Sequence, residues 1–136
     1  MNNGRVLAVL GALCEGLTRD PRGTTVSVRA KAFLPFIDGY SVGGVGTTLV
    51  LASAPPPNFL AEAAAYGSLV GWLKDLPEGT RHVGAWLYEG EYHFDVVDIF
   101  TDIDTAIKIA KERGEIAIWD GYRQDEIQLA TLDGEV

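Results

Sequence analysis

Cysteine is nearly absent from this chain. Cys14 is the only one among 136 residues, so no disulfide bond can form within one molecule. Disulfides are frequent in small secreted proteins and rare in the reducing cytosol. The sequence therefore predicts a cytoplasmic protein. Because neither a histidine nor a second cysteine lies near it in the sequence, Cys14 is expected to be a buried and unreactive thiol.

Long apolar segments and positive charge are also scarce. No run approaches the roughly 20 apolar residues that cross a bilayer. The short apolar run 6–13 ends at Leu13, which is too bulky for a lipoprotein cleavage site. Acidic side chains outnumber basic ones by 19 to 11, which gives a net charge of −8. Such a charge disfavours non-specific contact with nucleic acid or anionic membrane. We expect no membrane partner and no direct nucleic-acid partner.

Short motifs of catalysis and nucleotide binding are missing as well. The glycine-rich stretch 43–46 has no Lys-Ser or Lys-Thr after it and no following helix, which excludes a phosphate-binding loop. No serine lies in a Gly-x-Ser-x-Gly turn. Neither a helix-turn-helix nor a basic arm is evident. The sequence therefore implies no cofactor.

Apolar residues make up 47% of the chain, enough for a hydrophobic core at this length. We expect one domain over 1–136, with a helix within 1–20 and a frayed tail at 133–136. Apolar residues three or four apart predict helices, and alternation predicts strands. The predicted helices are 4–19, 59–75 and 101–113; the predicted strands are 24–32, 40–42, 47–53, 115–119 and 126–132, besides a hairpin within 82–97.

These elements predict an α+β fold: a mainly antiparallel sheet of about five to six strands with two to three helices packed on it. Helix 101–113 has the clearest boundaries, because Thr101 and Asp104 resemble a capping box and Gly114 suits the position after a helix. Helix 59–75 is nearly apolar all round and rich in small residues. It is therefore either the central core helix or the contact face of a homodimer.

The hairpin is predicted to turn at Glu89-Gly90. A two-residue turn sets the register so that Trp86 faces His93. One face of the hairpin is then apolar and anchors the core, while the other carries both histidines with aromatic and acidic side chains. The core face comprises Val83, Ala85, Leu87, Tyr92, Phe94 and Val96; the second face comprises His82, Gly84, Trp86, Tyr88, Glu91, His93, Asp95 and Val97.

The second face of the hairpin is the candidate site, and several interpretations remain open for it. Aromatic side chains beside acidic ones are typical of a protein-binding hot spot. His82, His93 and Asp95 alternatively form an acid–base group in a pocket over Gly84. No metal is predicted, because a third or fourth ligand is not in place. Ordinary cross-strand packing explains the same residues without any function. The predicted binding residues are Trp86, Tyr88, Glu91, His93 and Asp95.

Four segments follow one another in a characteristic order: Gly-Ala-Trp within 82–86, Phe-Asp-Val at 94–96, the helix 106–113, and Ala-Ile-Trp-Asp within 116–120. This order resembles that of a group of small, largely uncharacterised proteins of actinobacteria and their phages, over residues 80–127. Phe94 and Val97 depart from the group's pattern, which has leucine and a small polar residue there. The resemblance implies a phage or mobile-element accessory protein that binds a host or defence component. It implies no catalytic residues.

The leading functional prediction is a non-enzymatic interaction protein with an unidentified host or defence protein as partner, forming a homodimer through 59–75. One alternative is a small hydrolase or small-molecule-binding protein that uses the His/Asp pocket. The other is an acidic nucleic-acid mimic, which needs the Asp and Glu side chains of 89–126 on one surface. A pocket function requires a concave site, whereas an interaction protein requires an exposed patch of several hundred Å².

Overall fold

Helix α1 spans Asn3–Arg19 in the computed structural model, which describes residues 1–51 and 63–130. Asn2 caps it, because its side chain accepts a hydrogen bond from the backbone N–H of Arg5 at 2.8 Å. The helix ends at Asp20, whose extended backbone is what the following proline favours. The predicted N-terminal helix is therefore confirmed. Its buried apolar stripe comprises Val6, Val9, Leu10, Leu13 and Leu17.

Seven strands of the described residues form one sheet, and every neighbouring pair in it is antiparallel. The strands are β1 Gly23–Ser27, β2 Ala32–Phe33, β3 Tyr40–Leu51, β4 His82–Tyr88, β5 Glu91–Phe100, β6 Ala117–Asp120 and β7 Asp125–Gln128. Their order across the sheet is β2-β1-β4-β5-β3-β6-β7. The predicted α+β class is confirmed, but the sheet has more strands than the five to six expected.

The predicted strand 24–32 is in fact two strands separated by a turn. The Ser27 hydroxyl accepts a hydrogen bond from the Ala30 N–H at 3.1 Å, and Lys31 adopts a positive φ of 54°. This turn brings β2 back beside β1. The alternation of apolar and polar residues continues through the turn, so the pattern alone did not reveal the reversal.

The predicted strands 40–42 and 47–53 are one long strand, β3, as far as the described residues extend. The glycine-rich stretch lies inside it, and the pairing with β5 shifts register between Val42 and Val45 and again between Val45 and Leu49. Gly44 and Gly46 have φ values of +82° and +72°, which glycine adopts without strain. These glycines therefore bend a continuous strand instead of linking two separate ones.

Strands β4 and β5 form the predicted hairpin. Glu89 and Gly90 have φ values of 50° and 80°, as a two-residue type I′ turn requires. The Cα pairing runs from Tyr88 opposite Glu91 to Val83 opposite Val96. The predicted turn and register are confirmed.

Helix α2 spans Ala63–Lys74 and helix α3 spans Ile103–Glu112. Asp102 caps α3, since its carboxylate accepts hydrogen bonds from the N–H and the hydroxyl of Thr105 at 2.9 and 2.6 Å. The predicted capping box of Thr101 and Asp104 is therefore wrong by one position. No helix of the described residues has the length and apolar character needed to cross a membrane.

Helices α1, α2 and α3 cover the same face of the sheet. One core lies between α1, α2 and strands β1, β4 and β5; the other lies between α3 and strands β3, β6 and the end of β5. Phe94 packs in the first core and Phe100 borders the second. These two residues are six apart on β5, so they point to the same face.

Helix α2 is not covered on all sides by the described residues. Leu69 and Leu73 pack in the core, whereas Gly67, Ser68 and Gly71 are exposed. The predicted helical residues 59–62 lie outside the described part of the chain, as do the tail 133–136 and the last two residues of the predicted strand 126–132. That strand ends at Gln128, and residues 129–130 are helical instead.

The uncovered face of the sheet is concave. The guanidinium of Arg22, directly before β1, lies 5.6 Å from the centre of the Trp119 ring on β6. Three strands separate β1 from β6 in the sheet. In a flat sheet these strands would be roughly 19 Å apart, because neighbouring strands lie about 4.8 Å apart. The sheet therefore curls into a half-barrel, with the helices outside and an open interior.

Candidate functional site

The interior of the half-barrel holds a cavity of about 610 Å³. This size lies within the range of roughly 300–1,000 Å³ that small-molecule sites occupy. Strands β1, β3, β4, β5 and β6 line it together with Phe33 of β2 and the following segment 34–37. Its buried inner wall includes Thr25, Ser41, Gly84, Asp95, Val97 and Ile118, and its exposed rim includes Arg19, Arg22, Phe36, Gln124 and Asp125.

The second face of the hairpin therefore faces this cavity over part of its length. Gly84, Asp95 and Val97 are buried there, whereas the predicted interaction protein requires an exposed patch. The gap expected above Gly84 is partly filled, because a Cβ atom on Gly84 would come within 2.9 Å of the Val97 side chain. The curl of the sheet, which the local sequence does not encode, is the reason for the difference.

Asp95 is the most buried ionisable group of the cavity, with only 5% of its surface exposed. Its carboxylate accepts a hydrogen bond from the hydroxyl of Thr48 and another from the backbone N–H of Gly44. Burial raises the pKa of Asp95, and these hydrogen bonds and the nearby His93 offset the rise only in part. Thr48 and Gly44 of β3 thus hold the Asp95 side chain in place, but its negative charge is only partly compensated.

Glu115 is the second carboxylate of the inner wall, in the segment between α3 and β6. The Oδ2 atom of Asp95 and the Oε1 atom of Glu115 lie 2.8 and 2.9 Å from the position that a Cβ atom on Gly43 would take. One methyl group at that position would therefore touch both carboxylates. Burial raises the pKa of Glu115, the negative charge of Asp95 raises it further, and Arg113 acts in the opposite direction.

Arg113 lies close to this carboxylate pair but makes its ion pair elsewhere. Its Nη2 atom donates to Asp98 at 2.6 Å, and its Nη1 atom donates to the carbonyl oxygens of Val42 and Gly43 at 3.4 and 3.2 Å. Asp98 points to the helical face of β5, one residue beyond the inward-facing Val97. Arg113 therefore holds β3 against α3 and only partly compensates the charge in the cavity.

Two arginines at the rim are also engaged. Arg22 forms an ion pair with Asp20 at 2.9 Å while it lies over the Trp119 ring. The guanidinium of Arg19 lies 5.9 Å from the centre of the Phe33 ring. The contact of Arg22 with Trp119 stabilises the rim where β1 approaches β6, and the contact of Arg19 with Phe33 links α1 to β2. The described part of the chain contains no ion pair between an arginine or lysine and either Asp95 or Glu115.

The two histidines do not lie together. His93 is opposite Trp86, four residues along β4 from His82, which is roughly 13 Å at 3.3 Å per residue. Neither histidine lines the cavity. Burial lowers the pKa of His82, Arg81 lowers it further, and Asp98 acts in the opposite direction. The structure thus brings His93 near Asp95 and leaves His82 at the far end of the hairpin.

Three rings cluster at the turn end of the hairpin. The Trp86 ring lies 5.2 Å from that of Tyr88 and 5.3 Å from that of His93, measured between ring centres. The Nε2 atom of His93 is buried and has no hydrogen-bond partner among the described residues. Glu91, the remaining predicted binding residue, is half-buried opposite Tyr88 beside the turn. Of this set, Trp86 and Asp95 line the cavity.

The chemistry available in the cavity is that of one buried carboxylate, one half-buried carboxylate and aromatic walls. No group of three His, Cys, Asp or Glu side chains within 1–51 and 63–130 is arranged to hold a metal ion. The carboxylates can accept hydrogen bonds or bind a cation, and in protonated form either can donate a proton. The aromatic walls suit the flat face of an organic molecule.

Sequence reasoning missed Glu115, Gly43 and Thr48. Glu115 and Thr48 lie in predicted strands and Gly43 lies between two predicted strands, and the sequence pattern gives none of them a role in a site. A pair of glycines beside a strand signals a β-bulge or the close approach of another group to the backbone. This was the one sequence signal that could have pointed to the site at Gly43. Comparison of the chain with protein-family models, with curated proteins and with solved structures found no match.

Proposed function

We propose that this chain is a cytoplasmic protein that binds a small organic molecule in the cavity of its half-barrel. The observation that carries the proposal is the buried Asp95 on the inner wall of a 610 Å³ cavity. A buried carboxylate destabilises a fold unless a partner compensates its charge. Concave apolar sites with a few convergent polar groups are the usual form of small-molecule sites.

The lining of the cavity supports this proposal. Trp86 and Trp119 offer large apolar surfaces, while Ser41 and Thr25 offer hydroxyl groups. The side chain of Asp95 is fixed by Thr48, so the polar group is oriented before a ligand arrives. Because neither a histidine nor a cysteine lines the cavity in the described residues, the hydroxyl groups there have no imidazole to activate them, and binding is better supported than hydrolysis.

A fragment screen by two-dimensional NMR tests this function. Compounds that bind in the cavity should shift the amide signals of Gly84 and Trp119. The variant Ala117→Leu adds a larger side chain to the lining and should abolish these shifts. Ala30→Leu makes the same change at an exposed turn and should bind as the wild type does. Absence of cavity binding across the library, or equal binding by both variants, would overturn the proposal.

A second candidate function is protein binding by a phage-type accessory protein, favoured by the ring cluster of Trp86, Tyr88 and His93. Leu87, on the opposite face of the same turn end, is 37% exposed. Aromatic residues are enriched where proteins bind one another. The unpaired Nε2 atom of His93 offers such a partner a hydrogen-bonding group. Homodimerisation through the exposed small residues of α2 remains a related proposal.

Affinity capture with three forms of the protein separates the two functions. Tyr88→Ala removes a ring outside the cavity lining, and Ala117→Leu fills the cavity. A protein partner bound at the ring cluster should be retained by wild type and Ala117→Leu but lost by Tyr88→Ala. Retention of every captured protein by Tyr88→Ala would count against the second function.

The placement of the Asp and Glu side chains within 89–126 gives little support to the prediction of an acidic nucleic-acid mimic. Asp95 faces the cavity, Asp98 pairs with Arg113, and Asp102 caps α3. Asp120 is buried and accepts hydrogen bonds from the N–H groups after it. These side chains serve the fold, so they do not form the outward-facing row that mimicry requires.

A further inference from the structure

We propose that the ligand of the cavity is an organic cation: a primary ammonium group held between Asp95 and Glu115, on a flat apolar body that lies along Trp86 and Trp119. This inference rests on the proposed small-molecule function and assigns the ligand's chemical class. Three features of the cavity carry it: the placement of the two carboxylates, the surrounding charges and the aromatic walls.

The two carboxylates converge on one small space. Oxygens of Asp95 and Glu115 both lie within 3 Å of the site of an absent Cβ atom on Gly43. The two oxygens are therefore close enough for one ammonium nitrogen on the cavity side, which carries three donors, to reach both carboxylates. The absence of a side chain at Gly43 allows the two carboxylates to approach each other. The geometry therefore suits a compact cation better than a neutral group with one donor.

The surrounding charges leave the carboxylate pair uncompensated. Arg113 is committed to Asp98 and to two backbone carbonyls, and Arg22 is committed to Asp20. Two like charges in a buried site repel each other, and a cation between them removes that repulsion. An anionic ligand would instead add a third negative charge. The electrostatic potential inside the cavity thus favours a positively charged ligand.

The walls of the cavity favour a flat, apolar body behind the charged group. Trp86 and Trp119 both line the cavity, and Trp119 already attracts the guanidinium of Arg22. Aromatic faces attract cations because their π-electron clouds are negative. A volume of about 610 Å³ accommodates one or two fused rings with a short chain.

Matched ligand series test the class directly. Benzylamine, 1-naphthylmethylamine and tryptamine are compared with the corresponding alcohols and carboxylic acids by NMR titration at neutral pH. We expect the amines to bind most tightly, with shifts at Gly84, Trp119 and Glu115, and the carboxylates to bind most weakly. If alcohols or carboxylates bind in the cavity as tightly as the amines, the cation class is wrong while the small-molecule function stands.

Charge-removing variants test the residues. Glu115→Gln should weaken the binding of the best amine roughly tenfold, the value of one charge-assisted hydrogen bond, and leave the matching alcohol unchanged. Glu112→Gln removes the same charge from the exposed face of α3 and should leave both affinities unchanged. Equal weakening by both variants would show a general charge effect and overturn the proposed contact. Cavity binding by none of the nine probes would overturn both proposals.

Discussion

Asp95 is the residue at which stability and the proposed function conflict most directly. It is nearly fully buried and faces a second carboxylate, Glu115. Such a side chain is retained where its charge is used, since apolar or amide replacements at buried charged positions often stabilise a protein. The hydrogen bond from Thr48 orients the carboxylate without neutralising it.

We predict that Asp95→Asn stabilises the protein by about 1 kcal/mol at neutral pH. Burial raises the folded-state pKa of Asp95 above its ordinary value of 3.8, so the folded protein keeps this proton where the unfolded chain has lost it. The contribution of protonated Asp95 to the free energy of unfolding is complete below pH 3.8. It is lost as the pH rises through the raised pKa of Asp95. The gain from Asp95→Asn should therefore shrink on acidification.

Urea denaturation of both proteins between pH 3 and pH 7 measures this difference. Glu115, His93 and Arg113 are the charged or titratable groups that act on the site. Glu115 also has a raised pKa, so Glu115→Gln serves as a companion variant with the same expected direction. A stability difference that does not depend on pH would contradict the assignment to the buried charge.

At the scale of single elements, helix α1 is fixed by both its apolar stripe and a close approach to β1. Gly16 is buried in the last turns of the helix, where a Cβ atom would overlap the side chain of Thr24. Gly11 lies on the same helix, and a Cβ atom there would meet nothing within 4 Å. The two glycines are therefore chemically alike but differ in their surroundings.

We predict opposite effects for alanine at these two positions. Gly11→Ala should stabilise the protein by up to about 1 kcal/mol, because alanine favours the helix. Gly16→Ala should destabilise it by about 1–3 kcal/mol, since the added methyl group forces α1 away from Thr24. Thermal and urea unfolding of both variants give the comparison. A stabilised Gly16→Ala variant would mean that α1 does not approach β1 this closely.

At the scale of the whole molecule, strand β5 joins the two cores. It pairs with β4 on one side and β3 on the other, and its helical face enters both clusters of buried residues. Phe94 is fully buried in the larger core, in contact distance of the Trp72 and Tyr92 rings. Loss of packing at β5 should therefore affect the molecule as one cooperative unit.

We predict that Phe94→Ala lowers the free energy of unfolding by about 3–5 kcal/mol. Leu87→Ala, on the same face of the hairpin but 37% exposed, should cost less than about 1 kcal/mol. Chemical denaturation followed by tryptophan fluorescence and by circular dichroism measures both. If the two probes gave separate transitions for Phe94→Ala, the two cores would be independent.

The sequence by itself determined the features that depend on neighbours along the chain. The turn at Glu89-Gly90, the register of Trp86 opposite His93, and the helix predicted over 4–19 follow from local backbone preferences and apolar periodicity. The core face of the hairpin was also predicted, although Leu87 at its end is exposed. These signals are local because each depends on residues only a few positions apart.

Only the tertiary structure decided that the second face of the hairpin encloses a cavity. Bulges at Gly44 and Gly46 bend β3, and the curled sheet then brings Arg22 to Trp119 and Glu115 to Asp95. The partners in these contacts come from strands and loops far apart in sequence, and no local pattern specifies their approach. The hairpin carries the residues, and the curvature of the sheet turns their surface inward.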